Sequence, residues 1–177
     1  FFNDLGIILK NLKKKIPNKC LRVLSSYKYS GTRVSNMAWR IKDYLNREEI
    51  ENVNFDNGRI PFLKKGIKNS SLFIILINST MHLETLHGNY PTLIYFAHDN
   101  RIYSAKALDS LNKLKKAKVF HSNVSSLTNH VIKIWPNVNR WWFSAEVQNA
   151  VKNYCNNFAK PVPNKIIKLK KIINQYM

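Results

Sequence analysis

Acidic residues are scarce in this chain: 10 Asp and Glu stand against 29 Lys and Arg in 177 residues, for a formal net charge of +19. No two of these acids form a convincing general acid–base pair, so chemistry built on paired carboxylates is not expected. Glycine is also scarce. The five glycines, at positions 6, 31, 58, 66 and 88, are scattered and make no phosphate-cradling loop. Two cysteines, Cys20 and Cys155, could pair but are too few for a disulfide scaffold, and buried or free thiols are the simpler reading. Cys and His never cluster at zinc-ligand spacing. No apolar run approaches the ~20 residues that span a bilayer. The longest, Leu72 to Ile77, has the length of a strand. The opening Phe1-Phe2-Asn3-Asp4 has no basic start before an apolar block, so no signal peptide is expected. The first residue is not Met, which leaves open a fragment, a processed form or an unusual start.

What is present is positive charge on an apolar body. A sequence pI near 10.1 implies self-repulsion, which an anionic partner removes. The lysines recur at 13–15, 64–65, 113–118 and 165–171, whereas a disordered basic tail would concentrate them and lack apolar residues. With 45% hydrophobic residues the charge decorates a folded domain, and nucleic acid phosphate is the favoured partner over an anionic membrane. A chain of this length buries ~70% of its unfolded surface, enough for one core. The abundance of Asn, Lys, Ile, Tyr and Phe points to an AT-rich coding genome, as in many organelles.

Periodicity supplies the fold class. Leu5, Ile8, Leu9 and Leu12 share one helical face within Asp4 to Ile16, and Pro17 ends that helix. Leu21 to Ser25 reads as a short strand, and Val34 to Asn46 as a helix. Residues 48 to 60 read as polar and irregular. Ser71 to Ile77 and Pro91 to Ala97 read as strands buried on both faces. Between them a helix over Met81 to Leu86 is capped by Asn78-Ser79-Thr80 and stopped by Gly88. A basic segment leads to a third strand, Lys118 to His121, then helices over Ser125 to Trp135 and Ser144 to Asn156. Beyond Pro161 and Pro163 a basic amphipathic helix is predicted over Lys165 to Tyr176. The predicted fold is a three-layer, Rossmann-like α/β domain with a mainly parallel sheet and a helical C-terminal extension. Its α/β domain covers 1–135 and the basic helical extension 136–177.

Candidate chemistry is thin. His98-Asp99 follows a buried strand, where α/β enzymes place catalytic groups, and is the best catalytic candidate; a loop pair satisfying turn hydrogen bonds is the plainer reading. His82 and His87 fall on different helix faces, and His121 and His130 have no evident partner. Arg140-Trp141-Trp142-Phe143 could stack on unpaired bases, although pinning the C-terminal helices to the sheet explains the same aromatics. The crowding of Lys113, Lys115, Lys116 and Lys118 favours contact with phosphate.

One stretch resembles a known family. Lys28-Tyr29-Ser30-Gly31-Thr32-Arg33-Val34-Ser35-Asn36 resembles the Trp-x-Gly-Gly-x-Leu-Thr-Asn motif, preceded by a basic residue, of the second protein of the small ribosomal subunit (S-two). Gly31 and Asn36 match outright, and Thr32 departs from the second glycine. The downstream order is similar too: strand Ser71 to Ile77, helix from Met81-His82, a break at Gly88 and Pro91, and strand Thr92 to Ala97. The segment His121 to Ser126 keeps the family's Asn, at Asn123, and loses its acid. The resemblance covers about residues 20 to 135, without the family's first strands or coiled-coil protrusion.

The resemblance implies a divergent, mitochondrial-type structural protein of the small ribosomal subunit, in the matrix, and not an enzyme. Its partners would be small-subunit rRNA and neighbouring ribosomal proteins, with no cofactor, no metal, no small-molecule substrate and no stable membrane insertion. Lys28, Arg33, Asn36, Arg40, Lys113, Lys115, Lys116, Lys118 and Arg140 would then contact RNA. Two rival expectations remain: a Rossmann-like half of a glycosyltransferase, and a basic peripheral membrane protein using its last helix.

Overall fold

A computed structural model describes residues 1–17, 20–24, 37–51, 53–56, 70–96, 103–160 and 174. In chain order its elements are α1 (Phe2–Lys13), β1 (Arg22–Leu24), α2 (Met37–Arg47), β2 (Asn54–Asp56), β3 (Phe73–Ile75), α3 (Thr80–His87), β4 (Thr92–Tyr95), α4 (Ala105–Lys116), β5 (Phe120–His121) and α5 (Val124–Ile134). A turn of 3-10 helix (Trp135–Asn137), then α6 (Val138–Trp142) and α7 (Ala145–Phe158), follow.

Every strand pairing among them is parallel. β1 pairs with β2, with Val23 opposite Phe55, and β3, β4 and β5 form a second sheet in that order. Ile74 stands opposite Leu93, and Ile94 opposite Phe120. A parallel pair needs a crossover, and α2, α3 and α4 supply those of β1–β2, β3–β4 and β4–β5.

β4 sits at the centre because all four of its residues are buried. Successive strand side chains point to opposite faces. Leu93 and Tyr95 therefore enter a cluster with Ile8 and Leu12 of α1 and Leu127, Val131 and Ile134 of α5. Ile94 and Phe96 enter another with Leu86 of α3, Leu111 and Leu114 of α4, Trp142 of α6 and Val147, Val151 and Tyr154 of α7. Helices thus cover both faces, and the expected three-layer α/β arrangement with added C-terminal helices is what the chain adopts. Side chains as buried as Leu93 and Ile94 each stabilise the fold by about 1.5–3 kcal/mol.

α1 joins two regions. Ile8 and Leu12 face the three-stranded sheet, while Leu5 and Leu9 pack with Val23 of β1 and Ile41 and Leu45 of α2. The approach to α2 is close: a Cβ on Gly6 would lie 2.5 Å from the Tyr44 hydroxyl.

Several local expectations change. The basic segment before β5 is α4, whose lysines alternate with Leu111 and Leu114 on its buried side. Within the stretch read as irregular lies β2, which exists as a strand through its pairing with β1. α3 does end at Gly88, but Gly88 keeps φ −73° and the left-handed residue is Asn89 at φ 54°. That turn closes with Tyr90 N–H donating to the Thr85 carbonyl at 2.9 Å. His98-Asp99, the Lys28–Asn36 segment, Lys64-Lys65 and the predicted Lys165–Tyr176 helix, except Asn174, lie outside the described residues.

Candidate functional site

Parallel strands put their carboxyl ends on one edge of a sheet, and ligands of open α/β folds gather there. In this chain α3, α4 and α5 follow β3, β4 and β5 in sequence, α3 and α5 within a few residues of the strand ends. Two of the three helix starts are closed by their own caps. Ser104 Oγ accepts from Ala107 N–H at 3.3 Å, and Asn123 Oδ1 accepts from Ser126 N–H at 2.7 Å. Ser79, at the start of α3, makes no such bond, and no acid stands in that first turn. The positive end of the α3 dipole is therefore met by no side-chain anion of its own helix.

Beside this helix start lies a cavity of about 660 Å³ between α1, β1 and β3. Its wall runs along β3 from Ser70 to Ile77 and reaches Ser79 and Met81 at the start of α3. Val23 of β1 and Leu5, Leu9 and Leu12 of α1 form other parts of it. The size is that of a small-molecule site.

Among the described residues no strand pairs with the edge of β3 along this cavity. Phe73 N–H donates to the Pro91 carbonyl at 2.8 Å, so Phe73 and Ile75 turn their backbone groups to β4. Alternation turns the N–H and C=O of Ile74 the other way, toward the cavity. Among the described residues they meet no backbone partner.

His121 at the end of β5 looks chemically capable but is fully committed. Its Nε2 donates to the Lys118 carbonyl at 2.9 Å, which leaves Nδ1 to accept from the Ser126 hydroxyl at 2.9 Å. Burial holds its pKa below the ordinary histidine value, so the ring is a neutral tie between β5 and α5. His130 lies 5.4 Å from it, ring centre to ring centre, and burial pushes its pKa down to about 4. Both partners of His121 are local, three and five residues away, and the turn from β5 into α5 brings them to the ring. Asn78-Ser79-Thr80 was read as the capping segment of α3; the cap residue is Ser79, and its side chain makes no cap bond.

The residues expected to contact RNA fall on separate elements where they are described. Lys28, Arg33 and Asn36 lie outside the described residues. Arg40 is exposed on α2, its guanidinium 6.0 Å from the centre of the Trp39 ring. Arg140 is exposed on α6. Only Lys113, Lys115, Lys116 and Lys118 come together, at the end of α4. The helix itself accounts for that crowding. Cations in a last turn are favoured by the dipole, and Lys113 pairs with Asp109 at 2.7 Å. Trp142 is fully buried with its indole N–H bonded to Asn89, so it pins the C-terminal helices and is not open to stack on bases.

Comparison with known families decides the class. The family model described as LIC12162 family transferase matches residues 9–173. This chain belongs to the LIC12162 transferase family. No curated protein and no solved structure matches it.

Family membership overturns the S-two resemblance, and with it a structural role on a mitochondrial ribosome. The expected rRNA and ribosomal-protein partners fall too, as do the readings that the chain is no enzyme and takes no small-molecule substrate. The physical reason is specificity: strand–helix–strand order is common to doubly wound folds of unrelated function. The short segments Lys28–Asn36 and His121–Ser126 carried the rest of that resemblance, whereas the transferase match runs over almost the entire chain. Among the described residues no helix is long and apolar enough to cross a membrane, and no group of three His, Cys, Asp or Glu could hold a metal ion.

Proposed function

We propose that the LIC12162-family chain is the donor-binding α/β half of a glycosyltransferase-type enzyme, taking a sugar nucleotide at the carboxyl edge of its parallel strands. One observation carries this reading: the cavity lies between β1 and β3 and opens beside the uncapped start of α3. The chain builds β1–β2 on one side of that gap and β3–β4–β5 on the other. Where sheet growth reverses, the two crossovers leave on opposite faces, and a crevice opens for a ligand. A diphosphate at the start of α3 meets the positive end of the helix and the Ser79 hydroxyl. The surplus of basic residues raises the local concentration of such an anion.

In the sequence His98-Asp99 follows β4 by a few residues. On this reading an imidazole such as that of His98 would take the proton of the acceptor hydroxyl as the donor's anomeric bond breaks. The nucleotide phosphate would leave with the electrons of that bond, held at the start of α3.

The test is calorimetry of the purified chain with a panel of nucleoside diphosphate and nucleoside monophosphate sugars, in wild type and Ser79→Asp. Aspartate is a good helix cap, so folding should be kept while a phosphate is repelled. Binding by one donor class, weakened tenfold or more in Ser79→Asp, is expected. Absence of binding by every donor, or equal binding by both proteins, would sink the reading.

A further inference from the structure

A carboxylate stands at the carboxyl end of the central strand. Tyr95, the last residue of β4 and buried, donates its hydroxyl to Asp4 Oδ2 at 2.9 Å. Asp4 lies in the first turn of α1, one turn before Ile8, which packs with Leu93 and Tyr95. Burial first, and then the Asp4 carboxylate, push the Tyr95 pKa up to about 12, so the phenol keeps its proton and donates. Asp43, Glu48 and Asp109 each take a basic partner, Arg47, Lys10 and Lys113. Asp4 differs. Among the described residues no Lys or Arg pairs with it, and its second oxygen, Oδ1, accepts no hydrogen bond.

Phe1 and Leu5, on either side of Asp4 in the chain, line the cavity that also reaches Ser79 and Met81. β3 and β4 are parallel neighbours, with Ile75 opposite Ile94, so the end of β4 and the chain leaving β3 for α3 share one edge of the sheet. An ionised carboxylate only accepts hydrogen bonds, so it repels a phosphate and calls for a ligand group rich in donors. A cationic ligand is disfavoured by the net charge of +19. Neutral hydroxyls remain, and their bonds to a charged acceptor are stronger than bonds between neutral groups. A sugar ring supplies adjacent hydroxyls together with a face of C–H bonds. The Phe1 ring offers that face a flat apolar surface, and Phe2 packs edge-on against it with ring centres 5.3 Å apart.

We propose that Asp4, held by Tyr95, binds hydroxyls of the donor's sugar ring, with Phe1 against the apolar face of that ring. For its place in an enzyme this subsite rests on the sugar-nucleotide reading: the uncapped start of α3 takes the phosphates and Asp4 takes the sugar. Ligand charge is then sorted along one edge, anion at the helix start and neutral hydroxyls at the carboxylate. Tyr95 is a positioning residue. It engages Oδ2 and leaves Oδ1 to the ligand.

The experiment compares wild type, Asp4→Asn and Tyr95→Phe on the full chain. Asp4→Asn keeps the shape of the side chain and an oxygen for the Tyr95 bond, so folding should be kept, and thermal unfolding checks it. Saturation-transfer NMR with free hexoses and N-acetylhexosamines probes the sugar alone. At least one should bind wild type, and its signal should be lost in Asp4→Asn. Calorimetry with sugar nucleotides and bare nucleoside diphosphates probes the donor. Asp4→Asn should weaken the sugar nucleotide by about tenfold or more and change the bare nucleotide by less than about twofold. Tyr95→Phe should show the same split at smaller size. No free sugar bound, or equal sugar binding by wild type and Asp4→Asn, overturns the subsite, as does equal weakening of both nucleotides. A lower unfolding midpoint with sugar binding unchanged also overturns it, since the pair then only ties α1 to β4. If free sugar needs Asp4 and no nucleotide binds, the subsite stands and the sugar-nucleotide reading falls. If nucleotides bind and Asp4→Asn changes nothing, the reading stands and the subsite falls.

Discussion

Trp142 Nε1 donates to both acceptors of Asn89, the main-chain carbonyl at 3.1 Å and the side-chain Oδ1 at 3.0 Å. Gln148 reinforces the tie, its Nε2 reaching Asn89 Oδ1 at 3.2 Å and the Trp142 carbonyl at 2.8 Å. The turn that launches the central strand is thereby fixed to the C-terminal helices. Trp142→Ala should cost about 3–5 kcal/mol of stability in urea unfolding. Asn89→Ala should cost about 1–3 kcal/mol, combining lost hydrogen bonds with a left-handed backbone that alanine resists. Asn89→Gly, which accepts that backbone, should recover part of the loss. Equal losses in the two Asn89 variants would mean the strain argument is wrong.

Histidine 130 predicts a pH dependence. Its pKa is pushed down to about 4 by burial first, then by His121, Lys118 and Lys133 nearby. The unfolded chain takes up this proton near pH 6.5 and the folded chain only near 4, so the unfolded state binds more protons between those values. Stability from this group is complete above pH 6.5 and falls as pH drops toward 4. Allowing for its partial exposure, the loss should be on the order of 1–2 kcal/mol. His130→Leu should flatten the stability profile in that window; an unchanged slope would contradict the assignment.

The two thiols should differ sharply in reactivity. Both are free, Cys20 exposed and Cys155 partly buried. Burial pushes the Cys155 thiol up to about 11, so at pH 8 roughly one part in a thousand is thiolate. Labelling with a disulfide reagent at pH 8 should modify Cys20 at least about 100-fold faster. Comparable rates would show that α7 does not stay packed against α4.

The lysines at the end of α4 separate two explanations by sign. If they serve the helix dipole, Lys115→Glu and Lys116→Glu should each lower thermal stability by a few tenths to about 1 kcal/mol. If they are held against mutual repulsion for an absent polyanion, the same changes should raise the stability of the free protein.

The helices and strands around β4 were legible because their apolar residues recur with the right period, as in Leu5, Ile8, Leu9 and Leu12, and because Leu93, Ile94 and Tyr95 follow one another in β4. β2 was not legible, since Asn54-Phe55-Asp56 becomes a strand only through its ladder with β1. α4 was not legible as a helix because lysine dominates its second half, although Leu111 and Leu114, at a helical spacing of three, face the core. The Gly31–Asn36 segment pointed to the wrong family because a few matched residues on a common fold carry little specificity.

By itself the sequence determined a basic, α/β chain with parallel strands and helices on both faces, since charge, periodicity and strand–helix alternation are local properties. Only the tertiary structure decided that α1, β1 and β3 enclose a cavity beside the start of α3, and that Trp142 ties the C-terminal helices to Asn89. Those facts depend on which distant segments meet, and pairing across tens of residues leaves no periodic trace in the chain.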